Sequence, residues 1–481
     1  MDSLMNDATS QNTQNSIMSF SDTNPTLKAL ANTYGTPLYV YDMEKIKANF
    51  LAFKTAFGGR KSLICYALKA NSNLSILRLL AHLGSGADCV SIGEVKRALI
   101  AGIPKYKIIF SGVGKRDEEI QEALNLDILL LNVESYEELL RIEAQSKLHF
   151  TKNTNKSTNK ARISIRVNPN IDAKTHPYIS TGLHENKFGV DIETAKKMYL
   201  YAHKSPFLDP IGIHFHIGSQ LTDLTPIIQS AQKIAELARS LVALGIELRF
   251  FDVGGGLGIC YEDEVPISLY EYAQGILGTL SGCDWTIICE PGRRIVGDSG
   301  VLLTRVVGEK ITSNKRFVIV DGGMNDLMRP ALYEAFHRPK LIQETQGIKD
   351  ILESGLDSSK YDAPQQTLAD IVGPVCESSD VFCKDIPLPS LNSESLIGFL
   401  NAGAYGFSMA NSYNARLRPA EVGIYPNGAC LLRARENFCA SIHEEQSALE
   451  ASTLLLQSLS QNNQEGIRDQ QKFSANNKGV K

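Results

Sequence analysis

Several short segments of this chain carry side chains that could do chemistry. Lys69, in Tyr66-Ala67-Leu68-Lys69-Ala70-Asn71, follows directly on an apolar run. A lysine there sheds part of its hydration, and we expect a lowered pKa and an amine able to form a Schiff base. Asp252-Val253-Gly254-Gly255-Gly256 closes another run. Without side chains, its N–H groups can approach an anion such as a phosphate, and Gly292 with Arg293 would complete that cradle. Glu290 could hold a proton on a ring nitrogen and make the ring a strong electron sink. Equally, it could bridge to Arg293 or Arg294. In His214-Phe215-His216-Ile217-Gly218-Ser219 the histidines are read as facing opposite sides of a strand, with His216, nearer its end, free to stack on a flat ring. The pair also suits zinc, but no third ligand stands at a suitable spacing, and no metal is expected. Cys376, beside Glu377 in a turn-rich segment, could give a proton. Arg329, Tyr333 and Tyr405, the last in Gly403-Ala404-Tyr405-Gly406, are each ordinary when taken singly.

The elements that must position these residues follow from the hydrophobic pattern. From Ser62 onward, β-rich apolar runs alternate with helical spacings. The runs are Leu63–Ala67, Gly86–Val90, Lys107–Phe110, Ile128–Asn132, Arg162–Val167, Ile211–Phe215, Leu248–Val253 and Thr286–Cys289. Such alternation implies right-handed βαβ units. Eight of them match a (β/α)₈ barrel, in which function collects at the C-terminal ends of the strands. Lys69, Asp88, Arg166, His216, Gly256 and Glu290 all fall at such ends. After Gly300 the texture changes to strands with few long helices, namely Val301–Ile311, Arg316–Val320, Leu368–Val372, Leu396–Leu400 and Cys430–Ala434. An all-β second domain is expected there, joined by the early strand Pro37–Tyr41. The expected divisions are a disordered polar tail over 1–25, an N-terminal segment of the β domain over 26–48, the barrel over 49–299, the β domain over 300–440, and a polar extension over 441–481.

Composition narrows the function classes. The chain has 481 residues and a net charge of −4, with no basic stripe for nucleic acid and no apolar run of membrane-spanning length. The nine cysteines form no CxxC pair, and several lie in strand-like runs as small core residues, which suits a reducing cytoplasm. Met1 to Thr23 has neither the apolar core of a secretory signal nor the arginines of a transit peptide. Lys152–Lys160 and Asp350–Gln366 read as polar insertions. Ala448–Leu459 is an amphipathic run, read as a short surface helix in preference to a docking element.

Taken together and in this order, the motifs resemble the diaminopimelate decarboxylases, pyridoxal-phosphate (PLP) enzymes of the alanine-racemase-like barrel class, within the class-II ornithine/lysine/arginine decarboxylases. The resemblance covers about Thr36 to Glu436. It implies that PLP is carried on Lys69, with His216 stacked on its ring and Glu290 at the ring nitrogen. It implies that Asp88, Ser219, Gly256, Gly292 and Arg293 complete the cofactor site, with a further contact from Tyr405. Arg293, Arg329 and Tyr333 match positions that bind the substrate's distal carboxylate, Glu377 the position that binds its distal amine, and Tyr405 a further substrate contact. Cys376 matches a proton donor delivered from the second subunit of a head-to-tail homodimer. The implied reaction is decarboxylation of meso-2,6-diaminopimelate to L-lysine, the last step of lysine biosynthesis. Ornithine, arginine or carboxynorspermidine decarboxylases share the architecture, but ornithine-type enzymes place Asp after the reactive cysteine, where Glu377 stands here. A racemase would put arginine at the ring nitrogen, against Glu290. A non-catalytic relative would lack Lys69 or Cys376.

Overall fold

Short strands that are buried along nearly their whole length need neighbours on both edges, and here they find them by closing on themselves. The computed structural model describes residues 25–152, 160–172, 187–353 and 366–449, with residues 452, 453 and 456. In chain order the first strands are β1 (Leu38–Asp42), β2 (Ser62–Ala67), β3 (Gly86–Cys89), β4 (Ile108–Phe110), β5 (Leu130–Val133), β6 (Ala161–Arg166), β7 (Leu208–His214), β8 (Phe250–Asp252) and β9 (Thr286–Cys289). Strands β2 to β9 form the closed barrel, each parallel to the next, and β9 returns to β2 in the register Ser62↔Ile287. Cys65, Ile109, Leu130, Ile211 and Ile288, from β2, β4, β5, β7 and β9, form a buried apolar cluster that helps fill the barrel interior. Cys65, Cys89 and Cys289 are buried free thiols on these strands.

The connecting helices are started by side chains. Ser91 Oγ accepts from the Glu94 N–H at 3.2 Å, and Glu94 returns the bond to the Val90 N–H at 2.7 Å. Glu94 thus closes a helix N-terminus.

The second sheet contains β10 (Gly300–Ile311), β11 (Arg316–Val320), β12 (Pro339–Leu341), β13 (Thr367–Val372), β14 (Val381–Leu388), β15 (Leu396–Phe399), β16 (Ala420–Tyr425) and β17 (Gly428–Arg433). As expected, the N-terminal strand belongs here: β1 lies between β10 and β16, antiparallel to the first and parallel to the second. The helix Met43–Ala56 then leads from β1 toward the barrel. Strands β12, β14 and β16 were not legible. In β14, register shifts against β13, a positive φ at Asp385 and Pro387 break the period of two. In β16 the interruption is Glu421, fully buried, whose carboxylate takes hydrogen bonds from Tyr41 (2.8 Å), Asn73 (3.0 Å) and Arg433 (2.7 Å).

The polar lead-in and the insertion after Lys152 lie outside the described residues. The helix Ile348–Glu353 enters the second expected insertion, of which 354–365 are likewise outside. Residues 443–449 are helical and exposed, and the amphipathic run beginning at Ala448 lies largely beyond the description.

Candidate active site

The C-terminal ends of the barrel strands open into a cavity of about 780 Å³, walled on one side by segments of the β domain. Lys69 stands on the single turn Leu68–Ala70 that ends β2. That turn is tied down three times: the Ala67 N–H donates to Pro291 O at 3.1 Å, and Ala70 O accepts from the Tyr405 N–H at 2.8 Å and from the Ser408 hydroxyl at 3.1 Å. Tyr405 adopts a left-handed φ of 59°, a costly conformation for a side-chain-bearing residue that turns up where function demands it. Lys69 Nζ lies 3.3 Å from Asp88 Oδ2, a buried carboxylate at the end of β3. Burial pushes the ammonium pKa down, but Asp88, followed by Tyr405 and Glu290, outweighs it, and the net shift is upward. This corrects the lowered pKa expected from the sequence. The strand end that desolvates the lysine also brings it a counter-ion.

His214 and His216 both line the cavity. The expectation that they face opposite sides was wrong, because residues two apart on a strand share a face. His216 Nδ1 accepts the Gly255 N–H at 3.3 Å, which leaves the ring proton on Nε2. Burial, then Arg166 and Lys69, push its pKa well below the ordinary value and keep it neutral. His214 Nε2 lies 3.3 Å from Glu290 Oε2. Asp252 joins them, with ligand-capable atoms of all three within 4.8 Å. A third residue therefore stands beside the histidine in space, although no sequence spacing announced it. Burial and the charge of Glu290 push the Asp252 carboxyl well up, so it sits as a neutral acid beside an ionised one. For Glu290 burial acts upward, but His214 and then Lys69 prevail and bring its pKa down to about 2.

Glu290 forms no ion pair with Arg293 or Arg294 among the described residues. Its Oε1 is buried without a hydrogen-bond partner, so it can receive a donor from a group in the cavity. The glycine turn beside it is similarly prepared. Gly254 and Gly256 have φ of +65° and +105°, and a Cβ on Gly255 would lie 2.1 Å from Glu290 O. A ring nitrogen bearing a proton and a phosphate group are what these features fit.

Two guanidiniums complete the lining. Arg293 donates to the Tyr261 hydroxyl at 2.6 Å and to Ser219 Oγ at 3.0 Å. Arg329 opens the short helix Arg329–Tyr333, lies over the Tyr261 ring at 4.7 Å, and meets His337 Nε2 at 2.9 Å. Both arginines are buried, and among the described residues neither has a carboxylate partner. Tyr333 lines the cavity beside Arg329. Cys376 and Glu377 do not line it. Both are exposed, the Cys376 N–H donating to Asn414 Oδ1 at 3.2 Å and Glu377 Oε1 accepting from the Tyr413 hydroxyl at 2.5 Å. Sequence reasoning missed Asp252 as a neighbour of Glu290, and Tyr261 and His337 altogether. Tyr261 follows the glycine turn closely enough to have been noticed, whereas His337 carries no motif.

Residues 43–297 match the family described as pyridoxal-dependent decarboxylase, pyridoxal binding domain. A diaminopimelate decarboxylase of Helicobacter pylori strain J99 is 58% identical over 407 residues, covering 85% of this chain and 95% of the relative. The chain belongs to the diaminopimelate decarboxylase family. A family member from Campylobacter jejuni is 52% identical over 428 residues, covering 89% of this chain and 99% of its own. The crystal structure of a Helicobacter pylori diaminopimelate decarboxylase complexed with L-lysine superposes with a TM-score of 0.80 at 56% identity, over 87% of this chain and 99% of that one.

The pyridoxal dependence of this decarboxylase family matches the unpartnered Glu290 Oε1 and the side-chain-free glycine turn. That turn has no room to spare, which gives a stability prediction. Gly255→Ala should cost about 1–3 kcal/mol through overpacking against Glu290 O. It should also weaken PLP retention, read by thermal unfolding and by cofactor absorbance after dialysis.

Proposed function

We propose that this chain removes CO₂ from meso-2,6-diaminopimelate to give L-lysine, using PLP, and that it works as a head-to-tail homodimer with shared active sites. The observation that carries this reading is the pair Arg293 and Arg329, two buried guanidiniums with only neutral partners in the cavity of Lys69 and Glu290. The substrate has a carboxylate and an amine at its non-reacting end, so its site needs a cation for the first and an anion for the second. Arginine grips a carboxylate bidentately.

Lys69 is the amine to which the cofactor would be joined. Ser219, Gly256 and the backbone at Gly292 and Arg293 would hold its phosphate, with Asp88 and Tyr405 as further contacts. When bound, PLP supplies a protonated ring that takes up the electron pair left as CO₂ departs. Glu290 Oε1 would hold the ring-nitrogen proton, and neutral His216 presents a flat face. Arg293 and Arg329, with Tyr333 and Tyr405, would orient the distal carboxylate. Cys376 and Glu377, which do not line the cavity of their own chain, would act in the partner's. There Glu377 takes the distal amine and the Cys376 thiol returns a proton to the carbon that lost CO₂. No helix among the described residues is long and apolar enough to cross a membrane, and all nine cysteines are free, which supports placing the enzyme in a reducing cytoplasm.

The decisive test is incubation of the purified protein with PLP and meso-diaminopimelate while lysine and CO₂ are measured, beside ornithine, arginine and carboxynorspermidine. Faster turnover of any of those three would count against the assignment. Within this reading, Arg329→Met should weaken meso-diaminopimelate by roughly 2–5 kcal/mol, the scale for breaking a buried charge pair. Inhibition by L-lysine, which keeps the distal carboxylate, should weaken comparably. Inhibition by cadaverine, which lacks it, should barely change. An equal loss for both inhibitors would separate Arg329 from carboxylate recognition.

A further inference from the structure

Several arginines of this chain are oriented by acids. Arg166 is held by Glu134 at 3.1 Å, Arg316 by Glu309 at 2.6 Å and Arg433 by Glu421 at 2.7 Å. Arg329 is as buried as any of these, yet the side chain that receives its Nη1 is an imidazole. His337 is fully buried, with Nε2 at 2.9 Å from Arg329 Nη1 and Nδ1 at 2.9 Å from Leu400 O. The two partners dictate its state. A carbonyl only accepts, so Nδ1 must carry the hydrogen. A guanidinium only donates, so Nε2 must offer its lone pair. One neutral tautomer satisfies both.

Its surroundings hold it there. Burial, then Arg329, push the imidazole pKa down to about 3, so the ring stays neutral at any working pH. The Tyr261 ring meets His337 edge-on, with centroids 5.4 Å apart, while its face carries Arg329 and its hydroxyl receives Arg293. Cys383 Sγ donates to His337 O at 3.4 Å from behind.

We propose that His337, through its Nε2 lone pair, positions Arg329 for the substrate's distal carboxylate without neutralising it, and so sets the preference for a substrate that is anionic at its non-reacting end. The proposal rests on the functional reading above. A carboxylate in place of His337 would tether the guanidinium more strongly, since charge-assisted bonds are the stronger ones. It would also occupy the charge that the substrate must meet. A neutral acceptor fixes the direction of the fork and leaves its charge unspent.

The test compares three substitutions in the PLP-loaded enzyme. His337→Gln keeps a neutral acceptor, His337→Glu keeps an acceptor but makes it anionic, and His337→Phe removes it. We expect the Gln variant to hold KM for meso-diaminopimelate and inhibition by L-lysine within about threefold of the parent. The Phe and Glu variants should raise KM and the Ki for L-lysine by about 10- to 100-fold, the scale of a hydrogen bond to a charged group. In all three, kcat should stay within about threefold and cadaverine inhibition should not move. A Glu variant that matches the Gln variant would overturn the proposal, because a merely structural role depends on shape and hydrogen bonding, not on charge. So would a Phe variant with unchanged KM. Should these variants not fold, ¹⁵N NMR of the histidine-labelled parent reads the tautomer directly. Protonated Nδ1 with bare Nε2, unchanged between about pH 5 and 8 where a free imidazole titrates, supports the proposal, and the opposite tautomer or a titrating ring overturns it. If the parent decarboxylates only substrates without a distal carboxylate, the functional reading falls first and takes this inference with it.

Discussion

Alanine at position 69 is expected to abolish the visible absorbance of lysine-bound PLP and to lower turnover of meso-diaminopimelate by on the order of 10⁴-fold or more, the scale for removing a group that acts covalently. The cavity supplies no replacement, since Lys69 is the only lysine among the described residues that line it. The fold should survive. Without Lys69 Nζ at 3.3 Å, the buried Asp88 carboxyl loses its cation, and it can take up a proton rather than remain an unpaired charge. Circular dichroism and thermal unfolding should therefore stay close to the parent while the absorbance band is lost. A Lys69→Ala enzyme that keeps both the band and normal turnover would mean that the cofactor is joined elsewhere.

What the sequence made legible about this site follows from where chemistry meets regular structure. A barrel strand announces itself by an apolar run, and the residue after the run must stand at the mouth, so Lys69 and Glu290, which both line the cavity, could be placed from sequence alone. The β domain was harder, because β14 and β16 carry bulges and a buried glutamate that erase the alternation on which strand reading depends. The two histidines of β7 were misread by a slip of one position in the strand period, which hid His214 from view beside Glu290. Electrostatics were opaque for a different reason. That Lys69 would be raised by Asp88, not lowered by burial alone, depends on β2 and β3 being neighbours, which is a pairing and not a motif. His337 lies further still from view. Its importance comes from two hydrogen bonds, one to Arg329 and one to Leu400, 63 positions away in sequence. Cys376 and Glu377, which are absent from the cavity lining, carry a message in the opposite sense. They belong to the motifs, yet one chain does not bring them to its own cavity.

That separation leads to the second large effect. Lys69→Ala and Cys376→Ala subunits, each inactive alone, should regain about one quarter of the parent activity when mixed in equal amounts and allowed to exchange. Lys69 stands in the barrel mouth, whereas Cys376 is exposed on the β domain in a turn anchored to Asn414. Closed two-fold dimers are the commonest assembly and place each subunit's patch against the other's. In the proposed homodimer, a thiol brought in this way would act as a positioned acid, which contributes about 10²–10⁴-fold. In a mixed dimer, one site takes Lys69 from the Cys376→Ala subunit and Cys376 from the Lys69→Ala subunit, and is intact. The other has neither group. Random exchange makes about half of the dimers mixed, and half of the sites in those are complete, hence one quarter. If Cys376 served its own chain, every site in the mixture would lack one group, and activity would stay at the level of the separate mutants however thoroughly the subunits exchanged. Mass spectrometry of differently tagged subunits establishes the exchange. Activity at the mutants' level despite confirmed mixing would place the proton donor within the chain that carries Lys69 or on another residue altogether.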